Sequence, residues 1–268
     1  MSRPWRPTPT LAWSLAVHGA AGAGLALAPQ LWPAALAAVA ADHALLTVAG
    51  LLPRSRLLGP NLTRLPPEAA TGGFVSLTID DGPHPGITPR VLDLLEAADA
   101  RASFFCIGDQ AARQPALVRE IQARGHSVEN HTQRHLKRFA LLGPGAMARE
   151  VAEAQDTLAQ LLGRAPRFFR AVAGLRNPFL EPILARHDLH LASWTRRGYD
   201  TRSGDPALVR QRLTRNLAPG DILLLHDGNP GLTPTGRPMV LEVLPLLLAD
   251  LAAAGLKSRS LEELLPAH

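Results

Sequence analysis

The residues of this 268-residue sequence best suited to chemistry are two adjacent carboxylates, Asp80-Asp81, and two histidines four positions apart, His131 and His135. One helical turn would set both imidazoles on the same side, and Asp81 adds a carboxylate, which makes a three-ligand metal set with room for water. On an extended backbone Asp80 points away from Asp81. Taken singly these signals are weak. Asp-Asp-Gly-Pro is also a common strand-ending turn, and a spaced histidine pair also occurs on helix surfaces without a metal. Their weight comes from company: Arg170 follows Arg167-Phe168-Phe169, Asp200 lies beyond Trp194, and His226-Asp227 end the run Ile222 to Leu225.

Each of these polar groups stands just past a short apolar run. Candidate strands cover 74–79, 103–107, 126–129, 167–170, 189–194 and 222–226. Between and after them, helical spacing predicts helices over Thr88–Ala98, Pro115–Arg124, Gly145–Leu162, Pro178–Arg186, Pro206–Leu217 and Met239–Ala254. Repeated β/α units predict an α/β fold around a parallel sheet or barrel. The carboxyl ends of barrel strands converge on one face, so five separate segments would deliver Asp, His and Arg to one place. The single cysteine, Cys106, lies in the apolar run Ser103 to Ile107 and reads as a core residue.

The front of the chain has a different character. Residues 11–28 and 31–52 are apolar stretches of roughly bilayer-spanning length separated by Pro29 and Gln30, a pattern that predicts a transmembrane hairpin over 1–52. A cleaved signal peptide ending near Ala26-Leu27-Ala28 and a pair of buried soluble helices are the competing readings. His18, Asp42 and His43 fall at similar depth on the two arms. The expectation is a His18 to Asp42 hydrogen bond, with a notch for a lipid head group as the sharper reading. Residues 53–73, rich in Pro and Arg, read as a linker, and the catalytic domain should span 74–268. The net charge of +5 is spread along the chain and aromatic content is 4%, which argues against nucleic-acid binding.

The run Thr78-Ile79-Asp80-Asp81-Gly82-Pro83 resembles the first motif of the polysaccharide deacetylases, and His131-Thr132-Gln133-Arg134-His135 resembles the second. Weaker similarities follow at Arg170 to Gly174, at Trp194 with Asp200, and at Leu225-His226. The resemblance covers Phe74 to the C-terminus and implies a distorted (β/α) barrel with fewer strands than the eight-fold form. It also implies a metal-dependent hydrolase that removes an acetyl or formyl group from an amino sugar.

By that resemblance Asp81, His131 and His135 bind a divalent ion, zinc before cobalt, nickel or iron. Asp80 is the implied general base, held by Arg170, and His226 is the implied general acid, oriented by Asp200. The backbone N–H of Ala173 takes the place of the family's oxyanion donor. Two departures touch the substrate more than the reaction. Arg170-Ala171-Val172-Ala173-Gly174 replaces the usual Arg-Pro-Pro-Tyr-Gly and leaves a wider pocket. Glu129 stands where Gly or Ala is usual and reads either as an extra metal or substrate contact or as a strand-end residue.

Three readings follow: a deacetylase of a polymer such as peptidoglycan or chitin, a deacylase of a lipid-linked or cell-envelope glycan, and a sugar-binding barrel without turnover. Metal content and turnover of an acetylated amino sugar separate the third from the others. Arg3 and Arg6 before the hairpin and Arg54, Arg56 and Arg64 after it place both ends inside. The expected location is the inner membrane, with two spans, membrane lipid as a partner and the catalytic domain on the cytoplasmic side.

Overall fold

The structure, a computed structural model, describes residues 3–265. Two long helices come first, α1 (Pro9–Leu27) and α2 (Trp32–Leu51), joined by a single 3-10 turn at Pro29–Leu31. Thr8 caps α1 by accepting the Leu11 N–H at 3.3 Å, and Pro9 fits the first turn, where a helix needs no N–H. Most large apolar side chains of this hairpin face outward, among them Trp13, Leu15, Leu27, Trp32 and Leu36. By length and composition both helices are able to cross a membrane.

A short helix α3 (Pro67–Ala70) precedes β1 (Phe74–Asp80), and the domain then alternates as α4 (Thr88–Ala97), β2 (Ala102–Cys106), α5 (Gly108–Arg113), α6 (Pro115–Ala123) and β3 (Ser127–Asn130). Beyond these come α7 (Pro144–Leu162), β4 (Phe168–Phe169), α8 (Leu180–Arg186), β5 (His190–Leu191), β6 (Arg196–Arg197), α9 (Pro206–Thr214) and β7 (Ile222–His226). The chain closes with α10 (Met239–Ala253), β8 (Lys257–Ser258) and α11 (Leu261–Leu264). All strand pairs are parallel, in the order β5-β4-β3-β2-β1-β7-β6, with β8 against the start of β1. The expected six strands are all present. β6 and β8 are additions, because two-residue strands such as Arg196–Arg197 carry no apolar run to betray them.

Strand alternation sorts the side chains. Val75, Leu77 and Ile79 of β1 pack outward with Phe104, Leu223 and Leu225 against the helices, joined by Val91, Leu95, Leu244 and Leu247. Ser76, Thr78 and Asp80 point the other way, into a barrel interior that also holds Phe105, Phe168, Trp194, Ile222 and Leu224. This two-sided burial explains why the strands read as continuous apolar runs with polar interruptions. Cys106 is buried in the outer layer, as its setting predicts.

The 53–73 stretch is not a free tether. Its backbone is mostly irregular, yet the Leu62 N–H donates to Leu191 O at 2.9 Å and the Leu65 N–H to Gly220 O at 2.8 Å. Leu58 and Leu65 are both buried, Leu58 against Leu11 and Ala49 of the hairpin and Leu65 in the barrel cluster with Ile222 and Leu224. The hairpin is likewise seated on the domain. A Cβ on Gly50 would come within 2.1 Å of Arg176 O, and that backbone closeness lets the Arg176 N–H donate to Gly50 O at 3.1 Å.

Candidate active site

Asp80 ends β1, and the chain leaves the strand through Asp81, whose φ of 75° lies in the left-handed region. This corrects the expectation that neighbouring carboxylates on an extended chain diverge. The handedness change turns Asp81 back toward the barrel mouth, so both carboxylates approach His131: Asp81 Oδ1 stands 3.2 Å from its Nε2, and Asp80 Oδ2 stands 3.9 Å away. His135 Nε2 is also 3.2 Å from Asp81 Oδ1.

The histidines are not on a helical turn either. They sit in a loop after β3 in which Thr132 and His135 have φ of 66° and 53°. That loop is held from outside. Gln133 N–H donates to Glu150 O, Arg134 N–H to Glu150 Oε2 at 2.9 Å, and His135 N–H to Thr132 Oγ1 at 3.0 Å. The imidazoles meet because the loop folds back, with ring centroids 4.8 Å apart. Backbone strain gathered at one place is typical of a site whose surroundings fix its geometry.

The ligand set fits a divalent transition ion. His131 Nδ1–H donates to Arg170 O at 2.8 Å, which leaves Nε2 to face Asp81. One ligand atom from each of Asp81, His131 and His135 lies within 4.8 Å of the others. Nitrogen and carboxylate donors of this kind suit zinc and its neighbours, and an outer hydrogen bond on a ligand histidine is the usual support. Burial works against the Asp81 charge, but contact with His131 and the charges of His131, His226 and His135 hold its carboxyl well below the usual range. Burial and the neighbouring His131 push His135 down to about 4, which favours the neutral, ligating form.

Arg170, fully buried, ties the Asp80 carboxylate to the wall. Its Nη1 donates to Asp80 Oδ1 at 2.7 Å and to Thr78 Oγ1 at 2.8 Å, its Nη2 to Ser193 O at 2.8 Å, and its Nε to Ala192 O at 3.1 Å. The guanidinium carbon lies 3.9 Å from the Phe105 ring centroid. His226 on β7 is the register partner of Asp80 on β1. Asp200 grips it twice, accepting from His226 Nδ1 at 2.9 Å and from its backbone N–H at 2.8 Å. Burial disfavours the imidazolium, but the Asp200 charge and hydrogen bond overcome it and raise His226 to about 9.

Asp80, Asp81, His131, His135, Ala173 and His226 line one cavity of about 410 Å³. Ala173 has φ of 55°, and the hydrogen bonds of its turn run from Gly174 to Ala171 and from Leu175 to Val172, leaving the Ala173 amide out of them. Glu129 does not join this group. It lies in the interior beside Phe105, and its carboxylate accepts the Arg167 and Phe168 N–H groups at 3.1 and 2.9 Å. The reading of Glu129 as a metal or substrate contact is thereby replaced: it holds the first turn of backbone entering β4. Burial raises it to about 7.

Asp227 is a residue whose part was not legible. It is fully buried behind the first motif, accepts a hydrogen bond from Thr88 Oγ1, and is raised to about 7 by burial and by Asp81. A Cβ on Gly82 would come within 2.4 Å of Asp227 Oδ1, so the glycine is what allows the carboxyl to pack under the motif. Lys137 and Asn229 also line the cavity from loops without periodic pattern, and Arg197 from the two-residue strand β6.

Residues 68–192 match the family model described as polysaccharide deacetylase. A chitooligosaccharide deacetylase from Sinorhizobium fredii is 37% identical over 170 residues, which covers 62% of this chain and 78% of that protein. A peptidoglycan-N-acetylglucosamine deacetylase from Bacillus cereus is 30% identical over 194 residues, 72% of this chain and 88% of that one. Among solved structures, a CE4 family pseudoenzyme from Bacillus anthracis superposes with a TM-score of 0.67 at 22% identity, over 78% of this chain and 70% of that chain, and shares the fold. The chain belongs to the polysaccharide deacetylase family.

Proposed function

We propose that this chain hydrolyses an N-acyl group, acetyl before formyl, from an amino-sugar residue of a cell-envelope glycan. The observation that carries this reading is the placement of Asp80 and His226 as register partners on β1 and β7, beside the Asp81-His131-His135 set. Asp81, His131 and His135 would hold a divalent ion, which would supply Lewis acidity at the acyl oxygen and make a nearby water more acidic. Asp80 then takes the proton of the attacking water through Oδ2, since Oδ1 is held by Arg170. The Ala173 N–H donates to the developing oxyanion, and His226 gives its proton to the leaving amine while Asp200 carries the balancing charge. The products are a free amine and a carboxylate. Relatives named for chitooligosaccharide and peptidoglycan support the amino-sugar class. The pseudoenzyme among the fold neighbours makes turnover the decisive measurement. Acetate release from acetylated chitooligosaccharides, abolished by chelation and restored by added zinc, is the expected result; no release from any acetylated amino sugar overturns the reading.

A lipid-carried amino sugar is the finer substrate we favour. Its support is a second cavity, of about 650 Å³, between the hairpin and the barrel, lined by Leu15, Leu46, Leu51, Leu141 and Phe179. Two loops serve both cavities: 135–141 runs from His135 and Lys137 to Leu141, and 173–179 runs from Ala173 to Phe179. A sugar in the polar cavity thus lies beside an apolar trough for a chain. Faster turnover of a lipid-linked acetylated sugar than of its soluble headgroup tests this, and equal rates return polymers to first place.

A further inference from the structure

The hairpin carries its own cluster of ligand types, remote in role from the deacylation site. His18 is near the middle of α1, and Asp42 and His43 are near the middle of α2. The expected His18 to Asp42 hydrogen bond is not what forms. Asp42 Oδ2 accepts from Ser14 Oγ at 2.7 Å, and His18 Nδ1 is 3.8 Å from that oxygen. His18 Nδ1 instead meets Ser14 O at 2.8 Å, which a ring nitrogen does only as a donor. In the neutral tautomer this leaves His18 Nε2 as the bare nitrogen, and it stands within hydrogen-bond distance of His43 Nε2 at 3.1 Å.

Three features point to a cation. First, two nitrogens bound tetrahedrally to one zinc ion at about 2.0–2.1 Å each stand about 3.3 Å apart, close to the separation between these rings. Second, Asp42 is 5% exposed, and its Oδ1 is a buried oxygen without a hydrogen-bond partner among the described residues. An unpaired carboxylate oxygen between two apolar helices needs a positive partner. Third, the cluster repeats the pattern of the active site: one Asp and two His with ligand atoms within 4.8 Å, and one histidine fixed by donating Nδ1–H to a backbone carbonyl at 2.8 Å, His131 there and His18 here.

We propose that His18, Asp42 and His43 form a second divalent-cation site that clamps α1 to α2, with the bound ion at the wall of the hairpin cavity that both histidines line. Zinc suits the donors, and cobalt reports on the same geometry. The site rests on no step of the deacylation chemistry. Its test uses the full chain in detergent with affinity tags removed. In an Asp81→Asn, His135→Ala background, which disables the catalytic set, one Co²⁺ per chain should be retained, with the visible absorption of a four-coordinate nitrogen and oxygen site. Adding His43→Ala or His18→Ala should remove that ion. With the catalytic set intact, zinc content should fall from two per chain to one in His43→Ala, and the hairpin should become more sensitive to protease. A background variant that retains no Co²⁺, or that retains it undiminished after both histidines are replaced, overturns the proposal.

Discussion

Arg170 Nη1 donates to Asp80 Oδ1 at 2.7 Å across the barrel interior, and the same nitrogen donates to Thr78. With one carboxylate oxygen committed to the wall, the other is left to the cavity, 3.9 Å from His131 Nε2. A carboxylate held this way keeps one orientation, which is what proton abstraction at a fixed place requires.

Asp80 and Asp81 should therefore fail differently when neutralised. Asp81→Asn removes a charged ligand 3.2 Å from both histidines, so metal content and activity fall together. Asp80→Asn keeps the metal and lowers turnover by about two to four orders of magnitude. Metal analysis beside single-turnover kinetics reads both; equal metal content with near-normal rates in the two variants would falsify the assigned roles.

His226, raised to about 9, is protonated across neutral pH, as an acid must be. Activity that depends on its proton is present at lower pH and is lost as pH rises through that value. Asp200→Asn removes the charge that raises it, so the alkaline limb of kcat should move to lower pH while substrate KM changes little. An alkaline limb that stays in place would assign the acid to another group.

Much of this was legible in the residues themselves. The apolar run ending in Asp80 and the run ending in His226 name two strand ends, and parallel packing makes those ends neighbours. What escaped was set by backbone handedness and by distant partners. Nothing in the local sequence announces that a non-glycine residue such as Asp81 takes a φ of 75°, because the cost is met by the close packing of the distant Gly228 against it. The His131–His135 loop depends on Glu150, which lies on α7 well beyond the motif. Glu129 looked chemical because it stands where Gly or Ala is usual, and its partners are the N–H groups of Arg167 and Phe168 at the start of the neighbouring strand.

Glu129 makes a stability prediction. Its folded value of about 7 lies above the ordinary 4.5, so the folded chain holds the proton more tightly than the unfolded one. The contribution is fully present below the ordinary value and is lost as pH rises through about 7. Melting temperature should fall from pH 5 to pH 8 for this reason. Glu129→Gln, which still offers one oxygen to the Arg167 and Phe168 amides, should flatten that fall. A slope unchanged in the variant would assign the effect to another buried acid such as Asp227.

The last prediction concerns the side of the membrane, proposed from charge alone. Arg3 and Arg6 precede α1, Arg54, Arg56 and Arg64 follow α2, and the connecting Ala28-Pro29-Gln30 turn carries no charge. Basic flanks at both ends of a two-span hairpin favour retention of both ends on the cytoplasmic side. Arg3 and Arg64 also make contacts on the barrel, Arg3 with Glu181 at 2.6 Å and Arg64 with Asp221 at 2.5 Å, which lessens their weight as topological signals and shifts it to Arg6, Arg54 and Arg56. The docked 53–73 stretch has a consequence here. Because Leu58 is buried against the hairpin and Leu65 in the barrel, the stretch joins the two directly instead of leaving the domain to swing on a tether. A cytoplasmic domain then acts on a lipid-carried precursor at the inner leaflet. A reporter active only in the cytoplasm and one active only in the periplasm, each fused after His268, should give signal from the cytoplasmic fusion alone. Moving the balance with Arg6→Glu and Arg54→Glu, which leaves Arg3 and Arg64 paired, should raise the periplasmic signal. Activity from the periplasmic fusion of the parent chain would reverse the orientation and bring wall polymers within reach of the site.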